Sequence, residues 1–263
     1  MTFAHEFAYH QIGRVPQIQH RHTDGNTLEL IQVLDGGGNA LIGDKTYALH
    51  AGTLLFIDAA HIHAINPQNS TAYCRNKLII DKSVFRQILH TLCDTAPLRV
   101  FDEGGSCFLP DQAQAAEIDS IFSMLHNTAV NGGLVLNAVL QLIRSADMYA
   151  SAAAPQTDSR INDVLRYLNT HYAEPLTVEQ IAAETLLSKY YLCHLFRAHT
   201  GITVMQYLNE QRLSSARHLL VHTDRSIAGI AQDCGFGSSS HFCTVFRARE
   251  GISPREFRVA HQK

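Results

Sequence analysis

The chain has 263 residues, of which 46% are hydrophobic, and its formal net charge is −3. That length and apolar content suit two cored domains and exclude a disordered or fibrous chain. No stretch reaches the ~18 apolar residues of a membrane span. MTFAHEFAYHQ has no basic start followed by an apolar run, so a cytoplasmic protein without a membrane partner is expected. The six cysteines form no Cys-x-x-Cys pair and read as reduced thiols. Charge divides unevenly. Residues 1–157 hold 9 basic and 14 acidic side chains, whereas residues 158–263 hold 12 and 10 plus seven histidines. The sign of this split suits a nucleic-acid partner for the second half only.

Residues 1–80 read as short strands. Apolar runs at Leu28–Leu34, Ala40–Ile42, Tyr47–Leu49, Thr53–Ile57 and Tyr73–Ile80 are separated by Gly36-Gly37-Gly38, Ile42-Gly43-Asp44 and Ala51-Gly52. Such spacing predicts an antiparallel barrel or sandwich. Within it stand His20-x-His22, Glu29, Gly36, Gly52 and a distant histidine, His61 or His63, of which His63 fits the register better. This order resembles the cupin pattern, in which histidines and a glutamate converge inside a small barrel. Six residues separate His22 from Glu29, a wider gap than that pattern usually has. Three readings follow. His20, His22, Glu29 and His63 would suit a divalent metal, or would hydrogen-bond a small effector directly, or are structural. Alternation on Tyr73–Ile80 turns inward either Tyr73, Arg75 and Lys77 or Cys74 and Asn76. Arg75 and Asn76 are therefore added as ligand candidates.

A helix is expected over Ser83–Leu92 with Ser83 as its cap, followed by an irregular connection over 94–110. Two further helices follow. Asp111–Thr128 carries Ala115, Ile118, Ile121, Phe122 and Leu125 on one face, and Asn131–Tyr149 carries Leu136, Val139, Leu140 and Ile143. These apolar stripes would cover the barrel. The small, polar stretch 151–159 reads as a linker between a domain at 1–150 and one at 160–263.

The second half is helical throughout. Arg160–Tyr172 is amphipathic, and Thr177-Val-Glu-Gln180 caps the helix Glu179–Glu184. Ser188 opens the next helix to about Thr200, and Thr203–Leu220 forms a long strut. Ser226 precedes Ile227, Ile230 and Ala231. Gly235 stands where a helix end needs positive φ. Ser238 opens a further helix, and Ser253-Pro254-Arg255-Glu256 restarts the chain after Gly251. Ile181-Ala182, Ser188, Leu192 and Phe196-Arg197 recur as Ile230-Ala231, Ser238, Phe242 and Phe246-Arg247. The offset is 49 at the first pair and 50 afterwards. A helix, a short turn and a second helix, used twice, is the helix-turn-helix pattern.

Residues 160–258 resemble the DNA-binding domain of the AraC/XylS family of bacterial transcription regulators. The resemblance rests on Ser188, Leu192, Leu195-Phe196-Arg197, Thr200-Gly201, Arg212-Leu213, Ile230-Ala231, Gly235-Phe236, Phe246-Arg247 and Ser253-Pro254. It implies an α+β multidomain fold: a cupin-like antiparallel β-barrel with a helical hairpin, then an all-α domain with two helix-turn-helix units. It also implies double-stranded DNA with a bipartite promoter site, a small-molecule effector such as a sugar, RNA polymerase and a second copy as partners. The function implied is transcription regulation, as an activator, without catalysis. A metal-dependent cupin enzyme fused to a DNA reader and a ligand-independent regulator are the rival readings.

Outward positions on the first recognition helix are Lys189, Tyr190, Cys193, His194 and Arg197. On the second they are Ser240, Cys243, Thr244 and Arg247, with Ser239 and His241 alongside. Ser188 and Ser238 cap the two helices and would bring their N-termini to phosphates. Tyr190 and His194 suit base edges. The hydroxyl-rich second surface should discriminate bases less. Arg197, Arg247, Arg212 and Lys189 suit phosphates.

Overall fold

The computed structural model describes residues 3–13, 17–18, 25–68, 73–92, 95–128, 131–148 and 158–262. The chain divides into two compact units, with the break after Thr157.

The first unit carries nine strands among the described residues: β1 Ala4–Gly13, β2 Gln17–Ile18, β3 Thr27–Asp35, β4 Gly37–Ile42, β5 Lys45–Leu49, β6 Leu54–Asp58, β7 His63–Gln68, β8 Tyr73–Asp81 and β9 Gly105–Phe108. They form a five-stranded sheet of order β1-β8-β3-β6-β9 and a four-stranded sheet of order β2-β7-β4-β5. Every pairing is antiparallel.

Strands β3, β6 and β8 of the five-stranded sheet are buried on both faces, and this explains their nearly continuous apolar runs. Leu28, Leu30, Leu54, Phe56, Leu78 and Ile80 share one cluster with helices α1 Lys82–Thr91, α2 Gln112–Asn127 and α3 Gly132–Met148. Ile31, Val33, Leu55, Ile57 and Tyr73 point the other way and pack with Ala40, Ile42, Tyr47, Leu49 and Ile65 of the second sheet. A strand covered on both faces loses the polar alternation of a half-exposed one.

Local capping sets the helix ends. Asp81 at the end of β8, rather than Ser83, caps α1. Its Oδ1 accepts from the Val84 amide at 2.8 Å, and Ser83 Oγ donates to the same oxygen at 2.6 Å. Asp111 caps α2 in a reciprocal box with Gln114. Asn131 accepts from the Leu134 amide. The faces of α2 and α3 that carry Ile118, Phe122, Val139 and Ile143 cover the sheet. Leu136 and Leu140 lie partly exposed at the edge of that contact.

The stretch 94–110 contains order that its sequence does not announce: a 3-10 segment at Ala96–Gly104 and then β9. At Gly105, φ is 137°, and an added Cβ would lie 2.0 Å from the Phe56 carbonyl oxygen. Only glycine lets β9 pair this closely with β6.

The second unit contains α4 Ser159–His171, α5 Val178–Glu184, α6 Lys189–Thr200, α7 Val204–His222, α8 Ile227–Asp233, α9 Ser239–Glu250 and α10 Pro254–His261. Capping boxes at Thr177, Thr203 and Ser253 start α5, α7 and α10. The strut α7 joins the two halves. Near its start Tyr207 packs edge-on against Phe196, 5.6 Å between centroids, and donates to Asn169 Oδ1 of α4 at 2.8 Å. Leu213, Ala216 and Leu220, further along, share a cluster with Ile230, Phe236, Phe242, Phe246 and Phe257. Among the described residues no helix is long and apolar enough to cross a membrane.

Candidate DNA-reading surface and interior polar cluster

The first reader is α5, a turn and α6. Leu187 N donates to Ala182 O at 2.9 Å as the chain leaves α5. Ser188 Oγ accepts from the Tyr191 amide at 3.2 Å and caps α6. Leu192, Leu195 and Phe196 are buried. Helical geometry then sends Lys189, Tyr190, Cys193, His194 and Arg197 outward, and all five are exposed. Tyr190 is 83% exposed, an unusual exposure for so large an apolar surface. Lys189 Nζ lies 2.5 Å from Glu179 Oε1, so this ammonium must leave a carboxylate before it can serve a phosphate. Tyr191, which the sequence pattern did not single out, is half-buried beneath the Arg160 guanidinium at 5.1 Å.

The second reader, α8, a turn and α9, repeats the frame. Ser238 Oγ accepts from the His241 amide at 3.1 Å. Phe242 and Phe246 are buried, while Ser240, His241, Thr244 and Arg247 are exposed and Ser239 is half-buried. The chemistry of this face differs from the first. Thr244 Oγ1 donates back to the Ser240 carbonyl at 3.0 Å. Its hydroxyl proton is thereby occupied, and it presents a methyl group and an acceptor. His241 leans edge-on over Phe236, 6.0 Å between centroids.

Arg212, expected at phosphates, is instead buried. Its Nε donates to the Tyr172 carbonyl and its Nη2 to the Glu174 carbonyl, both at 2.7 Å, and the guanidinium lies 6.0 Å from the Phe236 ring. It ties the strut to the loop after α4, and its side chain is scaffold. A second set of charges, also not apparent in the sequence, fixes α9 on α7. Arg249 Nε lies 2.9 Å from Glu210 Oε1, and Arg217 Nε lies 3.0 Å from Glu250 Oε1. Burial pushes the Glu210 carboxyl above the ordinary carboxylate range, against the pull of Arg249 and Arg217.

In the first unit, the layer between the sheets holds polar groups among its apolar neighbours. Glu29 is fully buried on β3. Its Oε2 lies 3.1 Å from Lys77 Nζ, and its Oε1 lies 3.7 Å from His63 Nε2. His63 Nδ1 is 3.0 Å from the His61 carbonyl oxygen, whereas the His61 side chain is about half exposed. On β8 the alternation resolves in favour of Tyr73, Arg75 and Lys77, which face this layer. Burial pushes the Tyr73 phenol up to about 12, with the Arg75 charge acting in the opposite direction. Asn76 occupies the opposite face. It donates to Gln32 Oε1 at 2.8 Å and accepts from the His10 amide at 2.9 Å, while Gln32 donates to Asp119 of α2. Arg75 and Asn76 therefore do not share a site. Lys77 was not among the expected ligand residues, although the inward strand pattern contained it. His20 and His22 lie outside the described residues.

Of the expected donors, the described pair Glu29 and His63 fits a metal poorly. A divalent cation on Glu29 would sit within a few ångströms of a buried ammonium that already neutralises the carboxylate, with little solvent to screen the repulsion. Among the described residues no group of three His, Cys, Asp or Glu side chains is placed to hold a metal ion.

Comparison with known families agrees with this geometry. The family described as AraC-like ligand binding domain matches residues 5–149, more than half of the chain, and the helix-turn-helix domain family matches residues 181–260. The chain belongs to the AraC family. As an AraC-family transcription regulator, it joins a ligand-binding domain to a helix-turn-helix DNA-binding domain. Among curated relatives, the HTH-type transcriptional activator RhaS of Citrobacter koseri is 28% identical over 253 residues, covering 93% of this chain and 90% of that protein. The RhaS of an Enterobacter species matches to the same extent. Among solved structures, a transcriptional regulator with an AraC-type DNA-binding domain from Chromobacterium violaceum is 33% identical. It covers 39% of this chain and 92% of its own, with a TM-score of 0.37.

Proposed function

We propose that this AraC-family chain activates transcription by reading a bipartite promoter site with α6 and α9, and that a small polar effector entering the first unit switches it. The observation that carries the reading is the repeated register. Two capped helices present exposed faces at equivalent positions on either side of one strut. Helices so joined enter successive major grooves on one side of the duplex, about 34 Å apart. Activation is supported by curated relatives that are transcriptional activators over almost their whole length. An effector of the sugar class suits the buried Glu29, His63 and Lys77, which offer acceptors and donors to hydroxyl groups. Its binding must favour one state of the protein, or nothing is switched.

We read the chain as non-catalytic, because the Glu29 carboxylate is held by Lys77 rather than left for a metal. Dimerisation through the outer face of the α2–α3 hairpin, contact with RNA polymerase and action in the cytoplasm complete the proposal. The free Cys74, Cys107, Cys193, Cys234 and Cys243 suit a reducing compartment.

The test is a reporter fused to a genomic fragment that the purified protein captures at physiological salt. Restoring the gene in a deletion strain should raise reporter output, and Tyr190→Ala together with His194→Ala should remove the rise. Repression by the restored gene would overturn the activator reading.

A further inference from the structure

Among the described residues, the inner layer of the first unit carries an imbalance of charge. Lys77 and Glu29 face each other as an ion pair at 3.1 Å. Arg75 lies two residues before Lys77 on the same face of β8, opposite Val33 of the inner cluster. It is only 8% exposed. Its partners are neutral: Nε donates to Gln11 Oε1 of β1 at 3.2 Å, and the guanidinium lies 5.6 Å from the Tyr73 ring. Among the described residues no carboxylate lies within ion-pair distance of it. A guanidinium withdrawn from water without a counter-ion is costly. Its planar fork of donors also matches a carboxylate or phosphate in two-point contact.

We infer that the effector of this protein is an anion, and that Arg75 binds its carboxylate or phosphate group while the Lys77–Glu29 pair and His63 address its hydroxyls. This rests on the reading of the first unit as an effector site and narrows it from sugars in general to sugar acids or sugar phosphates. The ligand would supply a negative charge that the described neighbours of Arg75 do not. Arg75 also touches β1 through Gln11, so neutralising it would alter the pairing of an edge strand. β1 already departs from regular register between Ala8 and Gln11.

The test uses the full-length protein and thermal melting at matched ionic strength. The probes are D-galactose, D-galacturonate and D-galactose 1-phosphate, with the corresponding members of the glucose, mannose and arabinose series. An acid or a phosphate should raise the melting temperature by roughly 5–10 °C at a hundredfold excess over its Kd, and its neutral parent should not. The arm that responds distinguishes carboxylate from phosphate. Arg75→Met should abolish that response and Arg75→Lys should keep part of it. Without ligand, Arg75→Met should melt at or above the wild-type temperature, because a buried cation with no carboxylate partner among the described residues has been removed. If neutral parents stabilise wild type and Arg75→Met equally, the effector reading stands and the anion inference fails. If no probe of any class shifts the melt, both fail. A clear drop in the ligand-free melting temperature of Arg75→Met would make Arg75 a structural residue and overturn the inference.

Discussion

The two helix-turn-helix units share caps, core positions and register, yet they solve the same turn differently. Leu186 and Gly235 both have positive φ, 56° and 78°. Leu186 points into solvent, 92% exposed. A Cβ at Gly235 would lie 2.7 Å from the Ala173 carbonyl oxygen and 2.8 Å from that of Tyr172. The first turn bears only the intrinsic cost of a left-handed leucine, on the order of 1 kcal/mol. The second is packed beneath the loop that Arg212 holds, so its glycine is required by contact as well as by φ. Backbone conformation alone therefore does not dictate glycine; what stands beside the missing Cβ decides it.

The largest effect should break that contrast. Gly235→Val should destabilise the protein by about 3 kcal/mol or more, through strain and overlap with backbone. Leu186→Gly should change stability by less than about 1 kcal/mol, since the strain it relieves is offset by greater freedom of the unfolded chain. Thermal melts of the two variants measure the difference. Equal losses would show that φ alone governs both turns.

A second contrast separates scaffold from surface arginines. Arg212→Ala removes two charge-assisted hydrogen bonds from a buried site and should cost about 2 kcal/mol of stability. The salt dependence of DNA affinity should be unchanged. Arg197→Ala should leave the melt alone and lower the salt slope by about one counter-ion. Titrations at several salt concentrations check this pair.

The reading faces differ next. Tyr190→Ala and His194→Ala should each cost about 1–3 kcal/mol of discrimination in the half-site under α6. Ser240→Ala and Thr244→Val should each cost less than about 1 kcal/mol in the other half, because the Thr244 hydroxyl proton is already bonded to Ser240. Gel-shift competition with duplexes mismatched in one half reads both.

The smallest effect is a pH dependence confined to the second reader. The Glu210 carboxyl is raised in the folded protein. The folded state therefore holds this proton more tightly than the unfolded chain. The stability it contributes is present below the ordinary carboxylate value and is lost as pH rises through the raised one. Glu210→Gln should flatten that part of the stability profile, whereas a change at the exposed Glu179 should not. A series of melts across the acid range measures it.

What was legible in the sequence follows the same division between local and distant causes. Caps at Thr177, Ser188, Ser226, Ser238 and Ser253 involve bonds three residues away, and the sequence pattern contains both partners. The buried faces of α6 and α9 follow from helical periodicity. Arg212 escaped because its partners lie 40 and 38 residues earlier in the chain, at carbonyl groups that any residue carries. Strand alternation narrowed β8 to two choices, but which face met the inner layer depended on pairing with β3. Asn76 and Arg75 could not be told apart until that pairing was seen. Strand β9 was hidden because it is short, and because Gly105, which reads as a turn signal, is there to permit close pairing with β6.

The most direct test of the double-reader account is selection from a random duplex library by the full-length protein, with the enriched sequences aligned by position. The account predicts two conserved blocks with centres one helical turn apart, about 10 base pairs. The block lost on His194→Ala should carry the sharper base preferences. A single enriched block, or equal loss of preference across the whole site on His194→Ala, would contradict it.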